Sequence, residues 1–205
     1  HMENTSMRVL IIQLIFIGFT INVAAQAEIQ PVQASWVLDI QSSCSSGKVA
    51  SCYQLGQMHL KGRGVEQDNN EAVRYFTIAC NGDDMLACSD LGIMYAIGYG
   101  VPEKDDTIAA SLFKRACDSG VKGTACDNLA VMYETGRGIE QDYKKAIQLY
   151  ELGCANDNEL NCYNLGRMYE KGVAVEQSNS EAAKYYSKAC DLENQDGCDA
   201  YDRLN

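Results

Sequence analysis

Ten cysteines carry the plainest chemical signal in this 205-residue chain. They fall in five pairs: Cys44 and Cys52, Cys80 and Cys88, Cys117 and Cys126, Cys154 and Cys162, Cys190 and Cys198. Thiols in such numbers serve metal ligation, redox exchange or disulfide formation. Zinc sites are commonly announced by two thiols two residues apart, a spacing absent here, and His59 is the only histidine besides His1. Thioredoxin-like and haem-attaching motifs need that same spacing, so no metal and no cofactor is expected. An even cysteine count behind a secretory leader reads instead as a disulfide framework. Ten cysteines allow many connectivities, and the regular spacing favours the local ones, within each of the five pairs.

Catalytic constellations are scarce. Ser111-Leu112-Phe113-Lys114 matches the S-x-x-K string of penicillin-interacting enzymes, without S-D-N or K-T-G companions. With one native histidine, no Ser/His/Asp set can be assembled beyond His59 and a nearby acid. His59 stands where later segments carry Tyr95, Tyr133 and Tyr169, so it reads as a packed substitute for tyrosine. No catalytic residue is assigned.

The elements that position the cysteines are copies of one unit. First cysteines recur at intervals of 36, 37, 37 and 36 residues, and a fixed period of this size signals a stacked repeat. After each second cysteine comes one core: Leu55-Gly56 with Met58, Leu91-Gly92 with Met94, Leu129-Ala130 with Met132, Leu165-Gly166 with Met168. Glycine turns follow, at Gly62 and Gly64, Gly98 and Gly100, Gly136 and Gly138, then Gly172 alone. They follow helices, not strands, so they are turns and not nucleotide loops. Next come Asp68, Asp105, Asp142 and Ser178, each placed to cap a second helix. That helix carries an apolar stripe advancing by three and four, as in Ala109, Leu112-Phe113 and Ala116-Cys117. One such helix pair cannot bury its own face, whereas stacked neighbours can. In that stack each cysteine pair spans the turn between one unit's second helix and the next unit's first.

These motifs, Leu-Gly-x-Met-Tyr, Gly-x-Gly-Val-x2-Asp and Ala-x2-(Tyr/Leu)-(Tyr/Phe)-x2-(Ala/Gly)-Cys, resemble the Sel-one-like repeat (SLR) family over residues 44 to 205. The paired cysteines make the chain similar to its secreted, cysteine-rich branch, typified by the Helicobacter cysteine-rich proteins. The resemblance implies an all-α fold, a right-handed, tetratricopeptide-like α-solenoid of helix-turn-helix repeats with one disulfide per repeat. It also implies a partner of the adaptor, host-interaction or toxin-neutralising kind. A second implication is penicillin binding or weak β-lactamase activity, described for some cysteine-rich members. Departures are His59 for tyrosine, Ala174 for the second glycine, and one residue inserted near Pro102.

Residues 1–27 read as a cloning scar, His1-Met2, and a secretory signal peptide. Arg8 precedes an apolar run over 9–24, and Ala25-Gln26-Ala27 supplies a cleavage site. At about 16 residues, broken by Gln13 and Asn22, the run is short for a membrane anchor. The expected product is therefore periplasmic or secreted, without stable membrane insertion, and begins near Glu28. Residues 28–44 are expected to form an N-terminal capping helix, with Trp36 over the end of the first full repeat. Residues 45–190 would form four repeats, and 191–205 a C-terminal capping helix. Cleavage removes one acid, Glu3, and one base, Arg8, so the charge stays at −11. Such a surface repels phosphate backbones and argues against nucleic-acid binding. It suits a basic or mixed-charge protein partner, or solubility alone.

The expected contact surface is the inner face of the first helices. Two places after each second cysteine stand Gln54, Asp90, Asn128 and Asn164; five places after stand Gln57, Ile93, Val131 and Arg167. A row of amides at one helical level could hydrogen-bond an extended peptide, and Ile93 and Val131 add apolar contact. A solvated polar face is the other reading.

Overall fold

The computed structural model describes residues 35–120 and 123–205. The expected signal peptide, its cleavage site at Ala27 and the start of the N-terminal cap lie outside the described residues. Among those described there are ten helices and no strand. They are α1 (Ser35–Ser45), α2 (Val49–Lys61), α3 (Asn69–Asn81), α4 (Met85–Ile97), α5 (Asp106–Asp118), α6 (Thr124–Thr135), α7 (Tyr143–Ala155), α8 (Glu159–Lys171), α9 (Asn179–Asp191) and α10 (Gln195–Leu204). From α2 to α10 each helix packs on its sequence neighbours, and the Cys44–Cys52 bridge ties α1 to α2, giving an α-solenoid in which even-numbered helices are the first of a pair and odd-numbered ones the second.

Local chemistry sets the helix ends. Asp68, Asp105, Asp142 and Ser178 accept backbone N–H bonds from the first turns of α3, α5, α7 and α9. Asp84, Asn158 and Asn194 do the same for α4, α8 and α10. These caps satisfy donors that no helix can pair internally. Gly62, Gly98, Gly136 and Gly172 close α2, α4, α6 and α8 in the left-handed conformation. Where the second turn glycine is missing, Ala174 adopts the same conformation at φ 56°, so the turn survives the substitution.

Packing explains the small residues. A Cβ on Gly56 would stand 2.5 Å from the Phe76 ring, and one on Gly166 would meet Tyr186 at the same distance. The first helix of each pair is thus seated on the large ring of the second, with Phe76, Phe113, Tyr150 and Tyr186 all fully buried. One continuous cluster runs from Val37 to Ala189, and a smaller one holds Ala182, Tyr186 and Ala200 at the C-terminal end. In α1 it is Val37 that is fully buried, while Trp36 lies against the Gly64 turn and remains 47% exposed.

Five disulfides join Cys44–Cys52, Cys80–Cys88, Cys117–Cys126, Cys154–Cys162 and Cys190–Cys198, with Cα–Cα distances of 4.5–4.9 Å. Each ties an odd-numbered helix to the following even-numbered one, so the bridges cross unit boundaries. Among the described residues no helix is long and apolar enough to cross a membrane, and no group of His, Cys, Asp and Glu could hold a metal ion.

Candidate binding face

Successive first helices α2, α4, α6, α8 and α10 stand side by side: hydrogen bonds pass directly between α2 and α4, α6 and α8, and α8 and α10, while α4 touches α6 without one. Gln57 on α2 donates to Asp90 on α4 at 2.5 Å and to Tyr53 at 3.1 Å. Burial pushes the Asp90 carboxyl above the usual range, against the hydrogen bonds from Tyr53 and Gln57. The Tyr53 hydroxyl is pushed up to about 12, by burial first and by the Asp90 charge second. Two residues expected to face a ligand, Gln57 and Asp90, therefore hold each other.

The C-terminal half ties its helices with ions. Arg167 on α8 donates to Glu134 on α6 at 3.2 Å and to Asn164 at 2.9 Å. The second Glu134 oxygen accepts from the Tyr150 hydroxyl of α7 at 2.6 Å. One unit later, Arg203 on α10 donates to both Glu170 oxygens at 2.7 and 2.9 Å, and Tyr186 donates to Glu170 at 2.7 Å. Arg203 first, then Tyr186, hold the Glu170 carboxyl below its usual range. Burial raises both tyrosines, and the carboxylate each one faces raises them further.

Repeat register shows what changes between halves. Five places after the second cysteine stand Gln57, Ile93, Val131, Arg167 and Arg203; eight places after stand Leu60, Ala96, Glu134 and Glu170. The positions that form ion pairs at α6–α8 and α8–α10 are therefore apolar at α4–α6, where Ala96 and Val131 replace Glu and Arg. Ile97 beside them is 63% exposed and Val131 37%, while Ile93 is half-buried. Of the remaining expected residues, Gln54 is exposed, and Asn128 donates its amide to the Thr124 carbonyl of its own helix at 2.9 Å. Asn164 spends its oxygen on Arg167.

Sequence reasoning did not find the Tyr–Glu–Arg ties. Their signal was present: Phe76 and Phe113 give way to Tyr150 and Tyr186 in the same two units where Leu60 and Ala96 give way to Glu134 and Glu170. A ring that gains a hydroxyl in a core needs an acceptor, and the glutamate supplies it.

Residues singled out for catalysis are placed as follows. The Ser111 hydroxyl donates to the Ile108 carbonyl at 2.8 Å, and Lys114 pairs with Asp118. The serine proton is thus directed at backbone and not at the lysine. His59 stacks on Tyr75 with centroids 5.5 Å apart, the arrangement Tyr169 and Tyr185 repeat at 5.4 Å. Its ring fills the tyrosine position.

Comparison with known proteins agrees with this architecture. The Sel1 repeat family matches residues 49–84, 86–121, 123–158 and 162–194. A structure of a protective antigen of uropathogenic Escherichia coli displaying an SLR fold is 27% identical, with a TM-score of 0.79 over 84% of this chain and 36% of the antigen. Cysteine rich protein B of Helicobacter pylori is 28% identical over 67% of this chain and 97% of its own, with a TM-score of 0.48. Among curated sequences, cytochrome c oxidase assembly factor 7 of Xenopus tropicalis is 34% identical over 77 residues, 37% of this chain. The chain spans about a third of that relative's length (33%). With four matched repeats accounting for most of its length, the chain belongs to the Sel1 repeat family.

Proposed function

We propose that this protein is a non-catalytic scaffold of an oxidising compartment, secreted or periplasmic, that binds another protein along its row of first helices. The observation that carries the reading is the interruption of the polar ties at α4–α6. There Ile93, Ala96, Ile97 and Val131 share one level of two adjacent helices, with Ile97 and Val131 substantially exposed. Aliphatic side chains left in water between polar neighbours are the usual core of a protein contact. Five buried or half-buried disulfides support the compartment, since such bridges persist where the surroundings oxidise. Adaptor, host-interaction and toxin-neutralising roles all fit a face of this kind, and Asn128, Asn164 and Arg167 would border the contact.

Affinity capture of the oxidised chain against envelope and secreted proteins of its source, read by mass spectrometry, tests the proposal. A dominant partner is expected. Its affinity should fall at least ~10-fold, about 1.4 kcal/mol, when Ile97→Asp and Val131→Asp are combined. A partner bound with unchanged affinity by that variant would remove the α4–α6 face from the contact.

A further inference from the structure

A cleft of about 280 Å³ opens at the N-terminal end of the same row of helices, lined by Trp36, Gln54, Gln57, Met58, Lys61 and Arg63. Its position follows from the repeat. In the third unit, Arg137 donates to Asp106 at the start of α5, the second helix of the preceding unit, at 2.8 Å. Asp106 is held below the usual carboxylate range by that contact. Arg63 occupies the Arg137 position one place before the second turn glycine of the first unit. Asp106 stands eleven places before Cys117; eleven places before Cys44, ahead of α1, the sequence has the neutral Gln33. The Trp36 indole lies on Gly64 where, at Gly138, the backbone of Asp106 lies. Arg63 thus repeats an arginine whose carboxylate is supplied from within the chain two units later, and it has no ion pair among the described residues. Lys61, across the Gly62 turn, likewise has none. In a chain of net charge −11, two exposed cations beside an exposed indole and a methionine are complementary to an acidic partner.

We infer that this cleft binds an acidic segment of the partner protein, with one carboxylate on Arg63 and Lys61 and an adjacent apolar side chain against Trp36 and Met58. The inference rests on the scaffold reading above and gives it a direction: the acidic stretch lies over the first unit and the apolar anchor at α4–α6. Arg63 supplies the planar two-donor geometry that suits a carboxylate. Lys61 adds charge without directional demand, and the half-open indole gives an apolar wall with low conformational cost. The C-terminal position of Lys61 also complements the α2 dipole, so loss of stability must be separated from loss of binding.

Trp36 is the chain's single tryptophan and reports on the cleft directly. The oxidised chain is titrated with the blocked peptide acetyl-Glu-Glu-Leu-Glu-Glu-Leu-amide and, separately, with its counterpart carrying lysine for glutamate, while indole fluorescence is followed. The expected result is a saturable change with the glutamate peptide, at least ~10-fold weaker with the lysine peptide. Lys61→Gln with Arg63→Gln should weaken it by ~10-fold or more, and raising salt from low to high should weaken it further. Arg63→Lys, which keeps charge but loses the fork, should fall between. An unchanged thermal midpoint for these exposed substitutions keeps a binding loss from being read as unfolding. Equal affinity for both peptides, no saturable change, or binding indifferent to the double substitution each overturns the inference. Concentration-dependent self-association abolished by the double substitution would assign the cleft to the acidic α10 end of a second copy, and would overturn it as stated. A captured partner whose affinity survives Lys61→Gln with Arg63→Gln but is lost with Ile97→Asp would overturn the cleft and leave the scaffold reading standing.

Discussion

The first two units and the last two solve the same packing problem with different chemistry. At Phe76 and Phe113 the large ring is purely apolar, and the residues eight places after the second cysteine, Leu60 and Ala96, are apolar with it. At Tyr150 and Tyr186 the ring carries a hydroxyl, which is given to Glu134 or Glu170, and an arginine of the next unit completes the tie. The apolar version seals a unit without reaching beyond it, so other groups bridge the boundary, Gln57 to Asp90 after the first unit and Arg137 to Asp106 after the second. The polar version extends the seal across that boundary through directional bonds. What differs is not how well each ring is buried, since all four are below 2% exposed, but whether the unit's core communicates with its neighbour through charge. An aliphatic surface at α4–α6 follows from that choice, and so does its absence at α6–α8.

The comparison can be tested in decreasing order of expected effect. Removing one staple from each half, Cys80→Ala with Cys88→Ala against Cys154→Ala with Cys162→Ala, should cost about 2–3 kcal/mol in either case. Both bridges close loops of the same sequence separation, 8. Urea unfolding of the oxidised proteins measures this, and unequal losses would mean the halves differ in more than side-chain chemistry. Next, Phe76→Tyr places a hydroxyl against Leu60 with no acceptor and should cost about 2 kcal/mol. Adding Leu60→Glu and Ile93→Arg should recover most of it by importing the C-terminal solution. If the triple variant is no better than the single one, the tie depends on surroundings beyond these three positions. Tyr150→Phe should cost about 1 kcal/mol, because Glu134 keeps Arg167, and the thermal midpoint should shift accordingly.

The smallest effect is one of pH. The Glu170 carboxyl is held low by Arg203, so its contribution is present above the ordinary glutamate value, about pH 4.3. It is lost as pH falls through the lowered value. Asp90 has the opposite sign. Its raised value means that its charge opposes folding, and that cost disappears as pH falls through the raised value. Acid below about pH 4.3 should therefore loosen α8, α9 and α10 while sparing α2 and α4. Hydrogen exchange resolved by helix, corrected for intrinsic rates, would show it; equal loosening of both ends would break the comparison.

Much of this was legible in the chain, because each signal was repeated in register. The caps at Asp68, Asp105 and Asp142 and the buried Leu-Gly-x-Met core follow from residues near one another in sequence, and the small residue at Gly56 and Gly166 recurs at one place of the repeat. The ties at Glu134 and Glu170 were harder to read. Each joins a tyrosine 16 positions away on the paired helix to an arginine 33 positions away, and the arginine arrives only once the units stack. Part of the amide row is engaged within the chain for a local reason. Asn128 finds an acceptor four residues back on its own helix, a local backbone bond open to short polar side chains. In α1 the large, conspicuous Trp36 drew attention from Val37, whose place on the stripe buries it completely.

Because every bridge spans a unit boundary, the array can also be considered as a mechanical object. Pulled by its ends under oxidising conditions, the chain cannot open its boundary turns, since the load passes through sulfur at Cys44–Cys52, Cys80–Cys88 and the rest. Only the hairpins between bridges, such as the stretch from Cys52 to Cys80, can pay out length, on the order of 100 Å each when fully drawn. Extension would then come in nearly equal steps, one per hairpin, and each released hairpin would remain clamped between two closed links. A reducing environment would change the step length, adding the turn residues to every release, so the sulfur links set the grain at which this protein yields.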